Sequence, residues 1–322
     1  MFAAARLGVF DSLDSDPATA AELAARLGCC APSLAQLLDA CVALGLLEKK
    51  LPEPGSAVYA NAAVSARYLT RSSPDSLVGY ALYSDSVLYA LWGRLEDAVR
   101  EGSNRWQQVF GGRDNFFSHV YGTEAGLREF IAGMHGFGQL SSPAVVAAVD
   151  LSGYCKLVDL GGASGHLAVE ACRRYPDLRA AIFDLPPVCE VAREVVAAAG
   201  LTGRIEVCPG DFFQDALPPA DLYALGRILH DWDEPRIAAL LAKCFAALPP
   251  GGAVLIVERL LAEDKSGPLG ATLQSLNMLV ATHGRERTAA EYAELLNAAG
   301  FEQVTARVTG APLDATLAHK PR

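Results

Sequence analysis

Five residues that can accept hydrogen bonds or move a proton follow one another in the second half of the chain: Asp159, Asp184, Asp211, His230 and Glu258. The first lies in Val158-Asp-Leu-Gly-Gly-Ala-Ser-Gly165, where Gly161, Gly162 and Gly165 allow a tight turn and close approach of a ligand to the backbone. A dinucleotide fingerprint needs glycine at i, i+2 and i+5; from Gly161 the i+2 residue is Ala163, and from Gly162 it is Ser164, so the fingerprint fails. No G-K-[ST] follows, which excludes a phosphate-cradling loop. Asp184 stands 184 − 161 = 23 residues past the first glycine, placed to accept hydrogen bonds from two ribose hydroxyls. It could also cap a helix ahead of Pro186-Pro187. Gly210-Asp-Phe-Phe213 sets a carboxylate beside an aromatic, a pair able to take an adenine amino group and stack its ring; an ordinary turn with core phenylalanines is the plainer alternative. His230, within Arg227-Ile-Leu-His-Asp-Trp232, belongs to the residue type that titrates near neutral pH, as a general base working at pH 7 should. Such residues at five successive strand ends favour a nucleoside cofactor plus an acid–base group.

The elements that must carry them are legible as an alternation. Strands are expected at Lys156–Leu160, Arg179–Leu185, Arg204–Pro209, Ala220–Leu229 and Ala253–Leu260. Helices are expected at Gly165–Tyr175, Val188–Ala199, Glu234–Leu248 and Ala289–Ala299. This alternation means a parallel α/β sheet with crossover helices, in which ligands bind beyond the carboxyl ends of the strands. Two last strands, Gln303–Thr309 and Ala315–His319, are close enough to pair as a hairpin.

Ahead of this lies a different unit. Thr19, with Glu22 three residues on, reads as a capping box for a helix ending at Gly28. A second helix runs from Pro32 to Leu44, and a hairpin follows with its tip at Pro52–Gly55: the pattern of a winged helix. No Lys or Arg occurs between Pro32 and Leu47, so this reads as a packing or dimerisation module rather than a DNA reader. The expected partition is 1–70 for this module, 71–150 for a helical linker that lines the substrate, and 151–322 for the α/β domain. The middle region carries Tyr80, Tyr83, Tyr89, Trp92, Trp106, Phe116, Phe117, Tyr121 and Phe130, core residues or pocket lining.

Composition narrows the class. The 322 residues are 51% hydrophobic and 20% charged, which excludes global disorder. Lys plus Arg is 27 and Asp plus Glu is 37, a net charge of −10, unsuited to nucleic acid or an anionic membrane surface. No apolar run approaches the ~20 residues of a bilayer span, and the first ten residues do not read as a signal peptide, so a cytoplasmic protein is expected. Eight cysteines include no C-x-x-C pair and read as small reduced hydrophobes, not a metal or disulfide framework.

Asp159-Leu-Gly-Gly-Ala-Ser-Gly165 resembles the D-x-G-x-G-x-G turn of class I S-adenosylmethionine-dependent methyltransferases, with Ala163 in place of the middle glycine. Phe183-Asp-Leu-Pro186, Gly210-Asp-Phe-Phe213, Leu229-His-Asp-Trp232, Ser275-Leu-Asn-Met-Leu279 and Gly284-Arg-Glu-Arg-Thr288 narrow the likeness to the small-molecule O-methyltransferases, a family that includes the acetylserotonin, caffeate and flavonoid enzymes. Within it the acetylserotonin group is the most similar, over nearly the whole chain. The resemblance implies a Rossmann-like sheet behind a winged-helix dimerisation domain, and a homodimer. It implies His230 as general base, with Glu258 and Glu286 flanking and orienting it. It places S-adenosylmethionine, and the product S-adenosylhomocysteine, on Asp159, Gly161, Gly162, Asp184, Leu185, Asp211, Phe212 and Arg227. Met134, Asp231, Asn277 and Met278 would face a phenolic or indolic acceptor, and no metal is implied. His119, His135, His166 and His319 are expected to be structural or exposed.

The resemblance has departures. The stretch ahead of the winged helix is short for the family, whose members often begin with an extra helix that swaps into the dimer partner. Ala281 stands where acetylserotonin enzymes carry glutamine, and His283 also departs from their pattern; both fall in the acceptor region. Two other functions fit parts of the sequence. One is methylation of sulfur in a small thioether acid such as methylthiohydroxybutyrate, which has no proton to remove. The other is a non-catalytic winged-helix regulator that binds the cofactor as an effector.

Overall fold

The computed structural model describes residues 1–53, 56–111 and 120–322. Phe116, Phe117, His119 and part of the expected hairpin tip, Pro54 and Gly55, lie outside the described residues. The chain forms two compact units, Met1–Val87 and Leu88–Arg322.

In the first unit the helix Ala20–Leu27 begins at the expected capping box. Glu22 donates its backbone N–H to Thr19 Oγ1 (3.3 Å), and Thr19 donates its own to Glu22 Oε2 (2.7 Å). Such a cap is worth about 1 kcal/mol. Gly28 ends the helix at φ +65°, a backbone region glycine enters at no steric cost. Helix Ala31–Ala43 buries Leu34, Leu38 and Cys41 against it. Strands β1 (Ala18–Thr19), β2 (Leu47–Glu53) and β3 (Ser56–Asn61) form an antiparallel sheet in the order β1-β3-β2. Lys49 and Tyr59 both donate to the Asp39 carboxylate (2.6 and 2.7 Å), so one of the two wing lysines is already engaged. Two short helices at the start, Phe2–Leu7 and Val9–Ser12, were not expected; they bury Ala4, Ala5, Val9 and Phe10. Residues 71–87, expected to open a separate linker, pack in this unit, with helix Val78–Tyr83 against Phe2–Leu7.

The second unit is built on strands β4 (Lys156–Leu160), β5 (Arg179–Asp184), β6 (Ile205–Pro209), β7 (Leu222–Gly226) and β8 (Ala253–Glu258). A short parallel pair follows, β9 (Leu260–Leu261) with β10 (Arg287–Thr288), and then β11 (Glu302–Arg307) and β12 (Asp314–His319). The large sheet has seven strands in the order β11-β12-β8-β7-β4-β5-β6; β4 to β8 are parallel, and the last two join as an antiparallel hairpin. Every residue of β8 is buried, as a strand covered on both faces requires. Helices Glu124–Ala148, His166–Arg174 and Pro186–Ala198 supply the core of one face. Glu234–Ala247 and Ala289–Ala298 supply that of the other. The connection reverses between β4 and β7, and such a switch point opens a crevice at the carboxyl ends of the strands.

Two expectations are corrected here. The fourth strand stops at Gly226, not Leu229, because Arg227 turns into the left-handed region (φ +59°) and a 3-10 turn, Leu229–Asp231, follows. The fifth strand ends at Glu258, with β9 a separate element. The cysteines are all free, but Cys30 and Cys155 are exposed rather than buried. Among the described residues no helix is long and apolar enough to cross a membrane.

Candidate active site

The turn after β4 crosses the crevice. Asp159 is buried at the strand's end, and the bare α-carbon of Gly162 makes room for it: a Cβ there would lie 2.7 Å from the Asp159 carboxyl carbon. Gly161, at φ +66°, would with a Cβ overlap the Ile228 side chain and press the Phe212 ring at 3.2 Å. Asp184 closes β5 and ties this turn down. Its Oδ2 accepts the Ala163 N–H (2.8 Å) and its Oδ1 the Leu185 N–H (2.7 Å), leaving each oxygen a lone pair for a hydroxyl. Burial raises its pKa to about 6, against the pull of those two N–H groups; Asp159, buried beside it, is raised to about 7. Leu185 is half-buried. Beyond β6, Asp211 Oδ1 accepts the Phe213 N–H, and Lys243 donates to the Phe212 carbonyl (2.8 Å), fixing the turn that carries Phe212.

His230 sits on the 3-10 turn beyond β7, and its ring is held at Nδ1 by Glu286 Oε1 at 2.7 Å. Glu258 also lies beside His230, within 4.8 Å, but its hydrogen bonds go to the backbone and not to the ring. Its Oε1 accepts the backbone N–H groups of Ile228, Leu229 and His230 (3.0, 2.6 and 3.2 Å), and its Oε2 takes the Tyr292 hydroxyl. One buried carboxylate orients the ring and the other grips the peptide that carries it. Burial alone would depress the histidine's pKa, but Glu286, Asp231 and Glu258 override it and raise it to about 9. The ring is therefore more basic than the histidine of ordinary pKa anticipated from its type. Asp231 lies with Oδ1 3.8 Å from Nε2; burial raises its pKa to about 6. Gly284 permits the packing of the next loop, because a Cβ there would overlap the His230 carbonyl.

Of the residues expected to face an acceptor, Asn277 and Met278 lie on helix Leu269–Ala281, which the sequence pattern did not reveal as a helix. Asn277 accepts from the Trp92 indole and donates to Gln274 Oε1 (3.1 Å), a chain of fixed amides. Met278 is buried, and Trp106 donates to the Ala281 carbonyl at the helix end. Met134, on helix Glu124–Ala148, receives Arg227 Nη1 at 3.2 Å from its sulfur, and the Arg227 guanidinium stacks on Phe137. Tyr121 is half-buried; desolvation of its hydroxyl, then the charges of Asp184 and Asp231, push it well above its usual pKa. Of the middle-region aromatics, Tyr83, Trp106 and Phe130 are buried and Tyr89 is 72% exposed.

Sequence reasoning missed Tyr292, Gly284, Trp92 and Gln274 as parts of this assembly. Gly284 lies inside a quoted motif, but only its neighbour's carbonyl explains it. Tyr292 sits one helical turn past Thr288, a spacing that could have pointed it back toward β8.

Residues 92–302 match the O-methyltransferase domain family, and residues 1–71 the O-methyltransferase dimerisation domain. The chain is similar to acetylserotonin O-methyltransferase of Gallus gallus, 45% identical over 323 residues, spanning 99% of this chain and 93% of the relative. It is also similar to 3-hydroxy-5-methyl-1-naphthoate 3-O-methyltransferase of Streptomyces sahachiroi, 42% identical over 305 residues, 94% and 85% of the two chains. Among solved structures, human N-acetylserotonin methyltransferase in complex with SAM superposes with TM-score 0.95 at 40% identity, over 100% of this chain and 93% of that one.

Proposed function

The chain belongs to the O-methyltransferase family, and on that premise we propose that it methylates the hydroxyl of a flat phenolic or indolic small molecule with S-adenosylmethionine as donor and His230 as general base. The observation that carries this reading is the buried His230–Glu286 pair at 2.7 Å, set just past β7 at the sheet's switch point. The residues present fit the donor. Asp184 keeps two lone pairs for the ribose hydroxyls, Phe212 and Asp211 form an adenine wall, and the Gly161–Gly162 backbone lets a ligand approach closely. Arg227, Leu185 and Asp159 complete that half of the crevice. When bound, the sulfonium supplies an electrophilic methyl group.

The protein's part is positioning and proton transfer. Glu286, bonded to Nδ1, fixes the Nδ1–H tautomer, leaving Nε2 with the lone pair that takes the acceptor's hydroxyl proton. Glu286 then stabilises the imidazolium, as the acid partner of a histidine base does. Glu258 keeps the peptide carrying the base from moving, and alignment of this kind can lower a barrier by several kcal/mol. Asn277, Met278, Met134 and Asp231 would hold the acceptor. The reaction is proposed to need no metal: His230 and Glu286 are committed to one another and Glu258 to three N–H groups, although the three side chains lie within 4.8 Å. The first unit would serve as a winged-helix homodimerisation module, and a cytoplasmic location fits the acidic composition.

The test offers methyl-labelled donor to phenols, indoles, hydroxy acids and thioethers. Label on a phenolic or indolic oxygen supports the reading; label only on sulfur overturns it. His230→Ala should abolish turnover yet bind S-adenosylhomocysteine with unchanged affinity. Turnover that survives in this variant would remove His230 from the chemistry.

A further inference from the structure

Helix Glu124–Ala148 meets the glycine-rich turn through two crossed hydrogen bonds. His135, on the helix, lies with Nδ1 2.8 Å from Ser164 Oγ on the turn. Ser142, two turns further along the helix, lies with Oγ 2.8 Å from Nδ1 of His166, the first residue of the helix after the turn. Each element contributes one serine and one histidine, so the contact is matched in both directions. Ser142 and Ser164 are both buried, the latter completely. Gly138, between the two helix residues, is needed for the fit: a Cβ there would overlap the His166 ring. Burial pushes His166 down to about 3, helped by His135 and Arg227 nearby, and it also lowers His135. Both rings are thus neutral at pH 7 and bond to serine as neutral partners. The residue before His135 is Met134, whose sulfur contacts Arg227.

We infer that His135, Ser142, Ser164 and His166 form a latch that positions the cofactor turn, with His135 and Ser164 as positioning residues for cofactor binding. The inference rests on the reading that this turn carries S-adenosylmethionine. The turn has an inherent tendency to relax, since Ala163 is held at φ +51°. On β5, Asp184 accepts the Ala163 N–H and the Phe183 carbonyl accepts the Gly161 N–H (2.8 Å), and the latch adds a restraint from helix Glu124–Ala148. A free turn would have to be ordered by the ligand at the moment of binding, at the expense of affinity. The latch should therefore affect cofactor affinity and leave the proton-transfer step alone.

Calorimetric titration of S-adenosylhomocysteine into the full chain tests this, with melting curves to confirm each variant's fold. His135→Ala and Ser164→Ala should each raise the cofactor Kd roughly tenfold, the scale of one lost hydrogen bond. The double variant should be no worse than either single one, because both remove the same bond. At saturating cofactor, kcat and the acceptor KM should stay within about twofold of wild type. His135→Asn, which keeps a polar atom near Nδ1, should recover most of the affinity. Ser142→Ala and Ser164→Ala each delete one oxygen, and they decide the matter if a histidine variant fails to fold. A cofactor Kd unchanged in both serine variants, fully additive losses, or a fall in kcat with Kd unchanged would overturn the latch while leaving the cofactor reading intact. A wild-type protein that binds neither cofactor form would overturn both.

Discussion

At the scale of single residues, His230 departs most from the expectation its type creates. A histidine at about 9 is mostly protonated at pH 7, and only its neutral form can take a proton. Activity should therefore rise as pH climbs from 6 toward 9 rather than level off near neutrality; a kcat/KM profile with a plateau from pH 7 would contradict this. Glu286→Gln removes the nearest charge that favours the imidazolium, so the rising limb should move to lower pH. The maximal rate should fall at the same time, because the tautomer is no longer held. Asp184, raised to about 6, should bind ribose hydroxyls more strongly when ionised, and cofactor affinity should weaken as pH drops through that value. Ala163 supplies another prediction. Its left-handed backbone costs roughly 1–2 kcal/mol, which glycine would relieve at about 0.4–1 kcal/mol of extra chain entropy. Ala163→Gly should raise the melting temperature by about 1–2 °C. The residue types were legible in the chain; their pKa values were not, because those depend on groups 28 and 56 positions away in sequence.

At the scale of elements, the site depends on loops pressed against each other. Gly284 lets the loop before β10 lie on the peptide carbonyl of His230. Gly284→Ala should displace the His230 turn and lower kcat about 100-fold, since a shift on the order of 1 Å can cost that much. Cofactor Kd should hardly change, and Gly203→Ala, where a Cβ meets open space, is the matched control. Equal losses in both variants would show that the contact is not specific. Apart from the end of β7, the parallel strands and their helices were readable to within a residue or two, because their apolar runs and glycine or proline stops are local signals. Helix Leu269–Ala281 was not read as a helix. Its apolar residues run almost all round, with Leu269 exposed and Ala271, Met278, Val280 and Ala281 buried, so no single stripe marks it. The early stop of β7 at Gly226 was equally hidden, since the left-handed Arg227 carries no residue-type signature.

At the scale of the whole molecule, the net charge of −10 and the dimerisation domain bear on assembly and partners. Sedimentation equilibrium should report a particle of two chains, and random duplex DNA should show no salt-dependent binding; a monomer at micromolar concentration would defeat the dimer proposal. The alternation of parallel strands with crossover helices and the edge that carries the crevice were legible in the amino-acid sequence read alone, as were Asp184, His230 and Glu258 as candidate residues at that edge, whereas Glu286 was implied only by the family resemblance. Periodicity and turn residues act over a few positions, and a parallel sheet brings its strand ends to one edge whatever the details. Which carboxylate does what was decided only by tertiary structure. Glu286 reaches the imidazole and Glu258 the peptide because β8 and the loop before β10 arrive from different directions. The burial and the neighbouring carboxylates that together set the basicity of His230 likewise exist only once distant segments close over them.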